Sequence, residues 1–332
     1  RLAPFADLAR DELAPLPARG LSNRHVRLGD RGWIVRIPCG RLHGMNARTT
    51  IDYQATSFLR LAPSGSVPSL RAVLWPASDL PRGGLVVREV RGPLAHPVDD
   101  LPAIAQSLAA IHALPPPPGA TWSPLIALVD PIRHLHSVAR GFWRAVPPPA
   151  LPAATVAAIA EELRWADTMA AAAGRQPRCL VVTDPHHENF VMAASGRAVL
   201  VDVEQVYYGL PAVDVAAATL PRALGWHGDF ARVPEGGAVL AFERAWLARL
   251  PAVIAAAVRP WLRPARRLLW LAQFGDAVTK CLASDDRPGS GIAAMDAGTR
   301  ERMAAGVRAY AAPDVVARLR AQWLGPGALP DP

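Results

Sequence analysis

The sequence predicts an α+β protein in which a small β-rich N-terminal part precedes a larger, mainly helical one. Three observations carry this. Residues 21–37 (LSNRHVRLGDRGWIVRI) alternate apolar and polar on both sides of a Gly-Asp-Arg-Gly turn, the pattern of a β-hairpin. Two more β-branched runs, LRAVLW at 70–75 and GLVVREV at 84–90, flank a connection rich in Pro and Gly. From Leu101 the apolar spacing changes to i+3 and i+4 and keeps that period, apart from one interruption at 179–202.

In chain order, a helix is expected over 47–62, between the hairpin and the run at 70–75. After Gly92-Pro93, Asp99 and Asp100 precede a helix whose positions Leu101, Ile104, Leu108 and Ile111 share one face until Pro115 stops it. The prolines at 115–118 and 147–149 mark surface connections. A long helix over 153–173 should bury Val156, Ile159, Leu163 and Ala166. Within 179–202 (CLVVTDPHHENFVMAASGRAVLVD) the runs FVMA and RAVLV face each other across Ala194-Ser195-Gly196 as a tight hairpin.

Composition excludes several classes. With 332 residues, 51% hydrophobic and 19% charged, the chain can bury a substantial core and is not disordered. It has no apolar stretch of membrane-spanning length, and its N-terminal residues lack the features of a secretion signal, so a cytoplasmic protein without a membrane role is expected. Cys39, Cys179 and Cys281 are widely spaced and odd in number, which fits reduced core residues. The net charge of +8 is almost all arginine, Lys280 being the only lysine, so no nucleic-acid partner is expected. The densest basic stretch, Arg259, Arg263, Arg266 and Arg267 with Trp261 and Trp270, is expected to be a solvated helix face, an anion site being the other reading.

The late hairpin concentrates chemistry. It folds the residue before its first strand beside the residue after its second, which sets Asn189 next to Asp202. Hard oxygen ligands from an Asp and an Asn suit Mg²⁺, which takes few protein ligands and completes its shell with water and substrate phosphates. Asp184, five residues before Asn189, is then free to accept a proton from a hydroxyl nucleophile. A transition-metal site from Asp184, His186, His187 and Glu188 is disfavoured, because adjacent histidines diverge and no HExxH accompanies them. Gly289-Ser290-Gly291 lacks the Lys-Ser/Thr of a phosphate-binding P-loop.

This text resembles the aminoglycoside phosphotransferase and choline kinase superfamily of small-molecule kinases. Its loop pattern HGDxHxxN is matched by Asp184, His186 and Asn189, its IDxE strand end by Asp202 and Glu204, and its GxPxxDxA helix start by Gly209, Pro211 and Asp214. GLSNRHVRL at 20–28, WIVRIP at 33–38 and RGPL followed by SLAAIHAL extend the resemblance over about residues 20–220. It implies a protein-kinase-like bilobal fold, with an N-lobe of 1–92 and a C-lobe of 93–332, and transfer of phosphate from ATP to a small-molecule hydroxyl with Mg²⁺. It also implies roles: Asp184 as base, Asn189 and Asp202 as metal ligands, and Arg36, Ser22, Asn23 and the backbone of Glu89 and Val90 on the nucleotide. Glu188, Glu204 and Tyr207, with Tyr208 and Trp226 nearby, would face a substrate, a cationic amino alcohol in preference to a neutral sugar. Asp214 and His112 would be structural supports. The chain departs from the pattern at Val182, where histidine is usual, and at His187-Glu188, where Pro-Gly is common. It also lacks a glutamate in the 47–62 helix to pair with Arg36, Asp52 and Gln54 being the nearest polar residues and Thr56 holding the expected place. A nucleotide-binding protein without catalysis is therefore the alternative.

Overall fold

The computed structural model describes residues 5, 7–17, 22–40, 42–118, 121–146, 150–222, 234–282 and 296–332. Trp226, Gly289-Ser290-Gly291 and the prolines 147–149 lie outside them. The chain forms two compact units, each built from separate stretches: 1–96, 100–127 and 179–208 make the first, and 97–99, 128–178 and 209–332 the second. The sheet's unit thus reaches well beyond residue 92.

The first unit is organised by a five-stranded antiparallel sheet of order β1-β2-β3-β5-β4. Its strands are β1 (Leu13–Pro15), β2 (Asn23–Leu28), β3 (Trp33–Pro38), β4 (Leu70–Leu74) and β5 (Gly84–Arg88). The alternation in the sequence sorts the residues by face. Leu28, Val35 and Val86 form an apolar cluster with Val26, Ile37, Ala72 and Leu74. Asn23 and His25 belong to the opposite set, and the register pairs His25 with Arg36. Helix α1 (Ala47–Leu61) lies as expected, capped by Asn46 accepting from the Thr49 amide, and buries Ile51, Tyr53, Phe58 and Leu61. The Tyr53 hydroxyl donates to Val206 O at 2.7 Å, tying α1 to the stretch after the late hairpin.

Helix α2 (Leu101–His112) buries Leu101, Ile104, Leu108 and Ile111, the predicted face, and His112 is fully enclosed. Its Ser107 hydroxyl donates to Ala198 O at 2.5 Å. Strand β6 (Cys179–Val181) leads to the hairpin of β7 (Phe190–Met192) and β8 (Ala198–Leu200), and β9 (Tyr207–Gly209) pairs with β6. A third backbone segment joins the hairpin where the chain leaves the sheet. Ala95 N donates to Phe190 O and Met192 N to Pro93 O, both at 2.9 Å. Only glycine fits at the start of this segment, since a Cβ on Gly92 would stand 2.0 Å from Met192 O.

The second unit is helical. α3 (Pro131–Ala145), α4 (Ala153–Ala172) and α5 (Ala212–Thr219) are followed by α6 (Gly236–Leu247), α7 (Ala252–Val258), α8 (Leu262–Cys281), α9 (Ala297–Tyr310) and α10 (Pro313–Arg320). The buried α8 carries Leu268, Trp270, Leu271 and Phe274 against its neighbours. Two expectations are corrected here. On α4 the buried face is Thr155, Ile159, Glu162 and Ala166, while Val156 is exposed. Most of the basic stretch is not a solvated face: Arg259 is exposed, but Arg266 is enclosed and bonds Thr219 and Gln322, Arg263 bonds Glu243, and Arg267 bonds Glu162. The Glu162–Arg267 pair links the two corrections. A buried carboxylate on one helix needs a guanidinium from another, and one apolar stripe cannot reveal that exchange.

Candidate active site

The first unit assembles the predicted residues around the β7–β8 hairpin. Its register pairs Phe190 with Leu200, and Val201 N donates to Asn189 O at 2.9 Å. Asn189 and the Val201–Asp202 step are therefore brought side by side, as the hairpin logic requires. Asn189 Nδ2 donates to Asp184 O at 2.8 Å, which fixes the carboxamide and leaves Oδ1 as the oxygen able to face a cation.

Arg36 reaches this mouth from β3. Its Nη2 donates to Asp202 Oδ1 at 3.2 Å, its Nη1 donates to Val201 O, and its guanidinium lies 5.7 Å from the Phe58 ring centre. It is only 5% exposed, which excludes a solvent-facing strand arginine. On α1 Asp52 is exposed and Gln54 buried, and the carboxylate that pairs with Arg36 comes instead from Asp202.

Ser22 and Asn23 meet Glu204. Asn23 Nδ2 donates to Glu204 Oε2 at 2.5 Å across 181 residues of chain. Glu204 is nearly enclosed, and burial raises its pKa, Asp202 adding to the rise while hydrogen bonds from Ser22 and Asn23 and the charge of Arg36 oppose it. Glu204, expected on the substrate, thus sits against Ser22 and Asn23 of the N-terminal sheet. His25 joins the same neighbourhood and was missed. A lone strand histidine carries no signal in the sequence, yet burial, with Arg36 beside it, depresses its pKa to about 4 against the opposing effect of Asp202.

On the other side of the hairpin mouth, Asp184 keeps 47% of its side chain exposed. His186 stands between two carboxylates, Nε2 at 3.6 Å from Asp184 Oδ2 and Nδ1 at 3.6 Å from Glu188 Oε2. The turn into Asp184 is unusual. Asp184 N donates to Val182 O at 3.0 Å, and Thr183 between them has φ of 77°, where the pattern HGDxHxxN has glycine.

The remaining residues lie elsewhere. The Glu89 carboxylate is engaged by Arg27 at 2.6 Å and Arg91 at 3.1 Å, and its amide donates to Gly32 O at 2.9 Å, so Glu89 offers a nucleotide only its carbonyl. Val90 and Tyr207 are half-buried. Tyr208 is no pocket wall: it is 2% exposed and meets Trp122 edge-on at 4.4 Å. Asp214 is fully enclosed on α5 in the second unit. Among the described residues no group of three or more His, Cys, Asp or Glu could hold a metal, and no helix is long and apolar enough to cross a membrane.

Comparison with known proteins places the chain in a family and a fold. A family model described as the phosphotransferase enzyme family (APH) matches residues 14–256. No curated protein sequence matches the chain. Among solved structures, a thermostable mutant of aminoglycoside phosphotransferase APH(4)-Ia in its apo form is 18% identical, covers 90% of this chain and 95% of its own, and superposes with a TM-score of 0.52. The GDP complex of aminoglycoside 2′-phosphotransferase-IIIa is 14% identical over 94% of this chain and 96% of its own, with a TM-score of 0.60. A choline/ethanolamine kinase family protein from Mesorhizobium loti is 20% identical over 89% and 92%, with a TM-score of 0.54. The likeness is one of fold: a β-sheet lobe and a helical lobe of protein-kinase-like type.

Proposed function

Because the chain belongs to the phosphotransferase enzyme family and is a small-molecule kinase, we propose that it transfers the γ-phosphoryl group of ATP to a hydroxyl of a small molecule with Mg²⁺. The observation that carries this reading is the hairpin mouth, where Arg36 bonds Asp202 and Asn189 is held beside it. The donor set fits Mg²⁺: one carboxylate, 35% exposed, and one carboxamide oxygen leave most of the shell to water and phosphate. When bound, the ion offsets charge on the phosphates.

The protein's own part is positioning. Asp202 and Asn189 would hold the ion, and Arg36 would reach the phosphates with a fixed, bidentate cation. Asp184 would accept the proton of the acceptor hydroxyl as its oxygen bonds the γ-phosphorus and the bond to the β–γ bridging oxygen breaks, releasing ADP. Ser22 and Asn23, held by Glu204, and the Glu89 carbonyl with Val90 would contact the nucleotide. On the acceptor side we place Glu188, with Asp184 and Tyr207, and infer an acceptor bearing an amine, drawn by the two carboxylates around His186. Aminoglycosides and amino alcohols both qualify, and neighbours of this fold bind hygromycin B or kanamycin or are named choline/ethanolamine kinases. The engagement of Arg263, Arg266 and Arg267 in ion pairs or hydrogen bonds speaks against a nucleic-acid site on α8, and we place the enzyme in the cytoplasm without a nucleic-acid or membrane role.

The test is phosphoryl transfer from ATP and from GTP, with and without Mg²⁺, to choline, ethanolamine, kanamycin, hygromycin B and neutral sugars. Metal-dependent transfer to an amine-bearing acceptor, with neutral sugars inert, is the expected result. Nucleotide binding that ignores Mg²⁺, with no transfer to any acceptor, would instead establish a binding protein without catalysis.

A further inference from the structure

We propose that Thr183 is a positioning residue whose hydroxyl, bonded to Gln205, holds the turn that aims Asp184; the proposal rests on Asp184 being the base. Thr183 is the one non-glycine residue with positive φ among the described residues, at 77°. The Asp184 amide closes on Val182 O at 3.0 Å, which makes a three-residue γ-turn centred on Thr183, a rare and strained form. A β-branched residue tolerates that φ least, so the conformation persists only where surrounding contacts over-determine it.

One such contact comes from the side chain of Thr183 itself. Thr183 Oγ1 donates to Gln205 O at 2.8 Å, linking the turn to the segment that carries Asp202 and Glu204. Asp184 is then held from three sides: its amide by Val182 O, its carbonyl by Asn189 Nδ2, and the preceding residue by Gln205 O. Glycine would adopt the turn without strain but could not donate this bond. The hydroxyl therefore ties the base to the metal-bearing segment, and small displacements of a base slow proton transfer steeply.

Three variants test this: Thr183→Val, which keeps the shape and loses the donor, Thr183→Ser, which keeps the donor, and Thr183→Gly, which removes the strain together with the donor. Amide exchange over residues 182–190 is read by mass spectrometry. Alongside it, kcat and KM are measured for Mg²⁺-ATP with whichever acceptor named above is phosphorylated fastest. Thr183→Val and Thr183→Gly should raise exchange at the Asp184 amide and lower kcat by about tenfold each, with KM for ATP within about threefold, while Thr183→Ser stays near the parent. Because Thr183→Gly relieves the backbone, it folds even if the valine variant does not. Unchanged exchange and kcat in the glycine variant, or a serine variant as impaired as the valine one, would overturn the proposal. Asp184→Asn separates it from its premise: near-normal kcat there overturns the base assignment, and exchange then decides the tether alone.

Discussion

His25 shows how one residue reports on its surroundings. Its pKa is depressed to about 4, chiefly by burial, so the folded protein binds fewer protons than the unfolded chain between that value and the usual 6.5. Stability must then rise with pH across this window and be lost as pH falls through it. Going from pH 7 to pH 5 should remove about 2 kcal/mol through this group. Denaturant unfolding of the parent and of His25→Gln at both pH values checks this, with the substituted protein showing the flatter dependence. None of it was legible beforehand, because the effect arises where β2 and β3 pair His25 with Arg36. The base proposed at Asp184, by contrast, could be proposed from the sequence, since it rests on a spacing of five residues to Asn189.

At the level of elements, the β7–β8 hairpin was readable because its strands and turn are contiguous and its register fixes its ends. Removing its two oxygen donors should have unequal effects. Asp202→Ala should weaken Mg²⁺-dependent ATP binding by at least about tenfold, or 1.4 kcal/mol, and Asn189→Ala by less, because a carboxylate contributes full charge and a carboxamide only a dipole. Titration calorimetry with and without Mg²⁺ distinguishes them; equal losses would contradict the assignment of Asp202 as the principal ligand. The backbone segment beside the hairpin was not legible. Nothing in Gly92-Pro93 announces that it pairs with a strand one hundred residues later, yet Met192 O leaves no room for a side chain there. Gly92→Ala should therefore destabilise the protein by about 1–3 kcal/mol, read as a lower urea midpoint, since backbone must shift to relieve the overlap.

Over the whole molecule, the sequence misleads most where charge is buried. Glu162 is fully enclosed on α4 and receives Arg267 from α8 and Arg320 from α10, the latter at 2.7 Å, so one carboxylate fastens three helices of the second unit. Glu162→Ala should remove about 3–5 kcal/mol, because Arg267 loses its carboxylate partner and Arg320 keeps only the exposed Glu161. Thermal unfolding of Glu162→Ala beside that of Val156→Ala, at an exposed position of the same helix, checks this, the second being nearly silent. The arginine-rich composition therefore serves partly as internal fastening. It has a chemical corollary at Arg36. A nucleotide analogue that carries an acylating group on its phosphates reports on kinases by capturing a primary amine, and here the cation at Asp202 is a guanidinium with none to capture. The only side-chain amine in the chain is Lys280, near the end of α8 in an ion pair with Asp276. Amine-directed profiling of nucleotide sites would pass this protein over even when its site is filled.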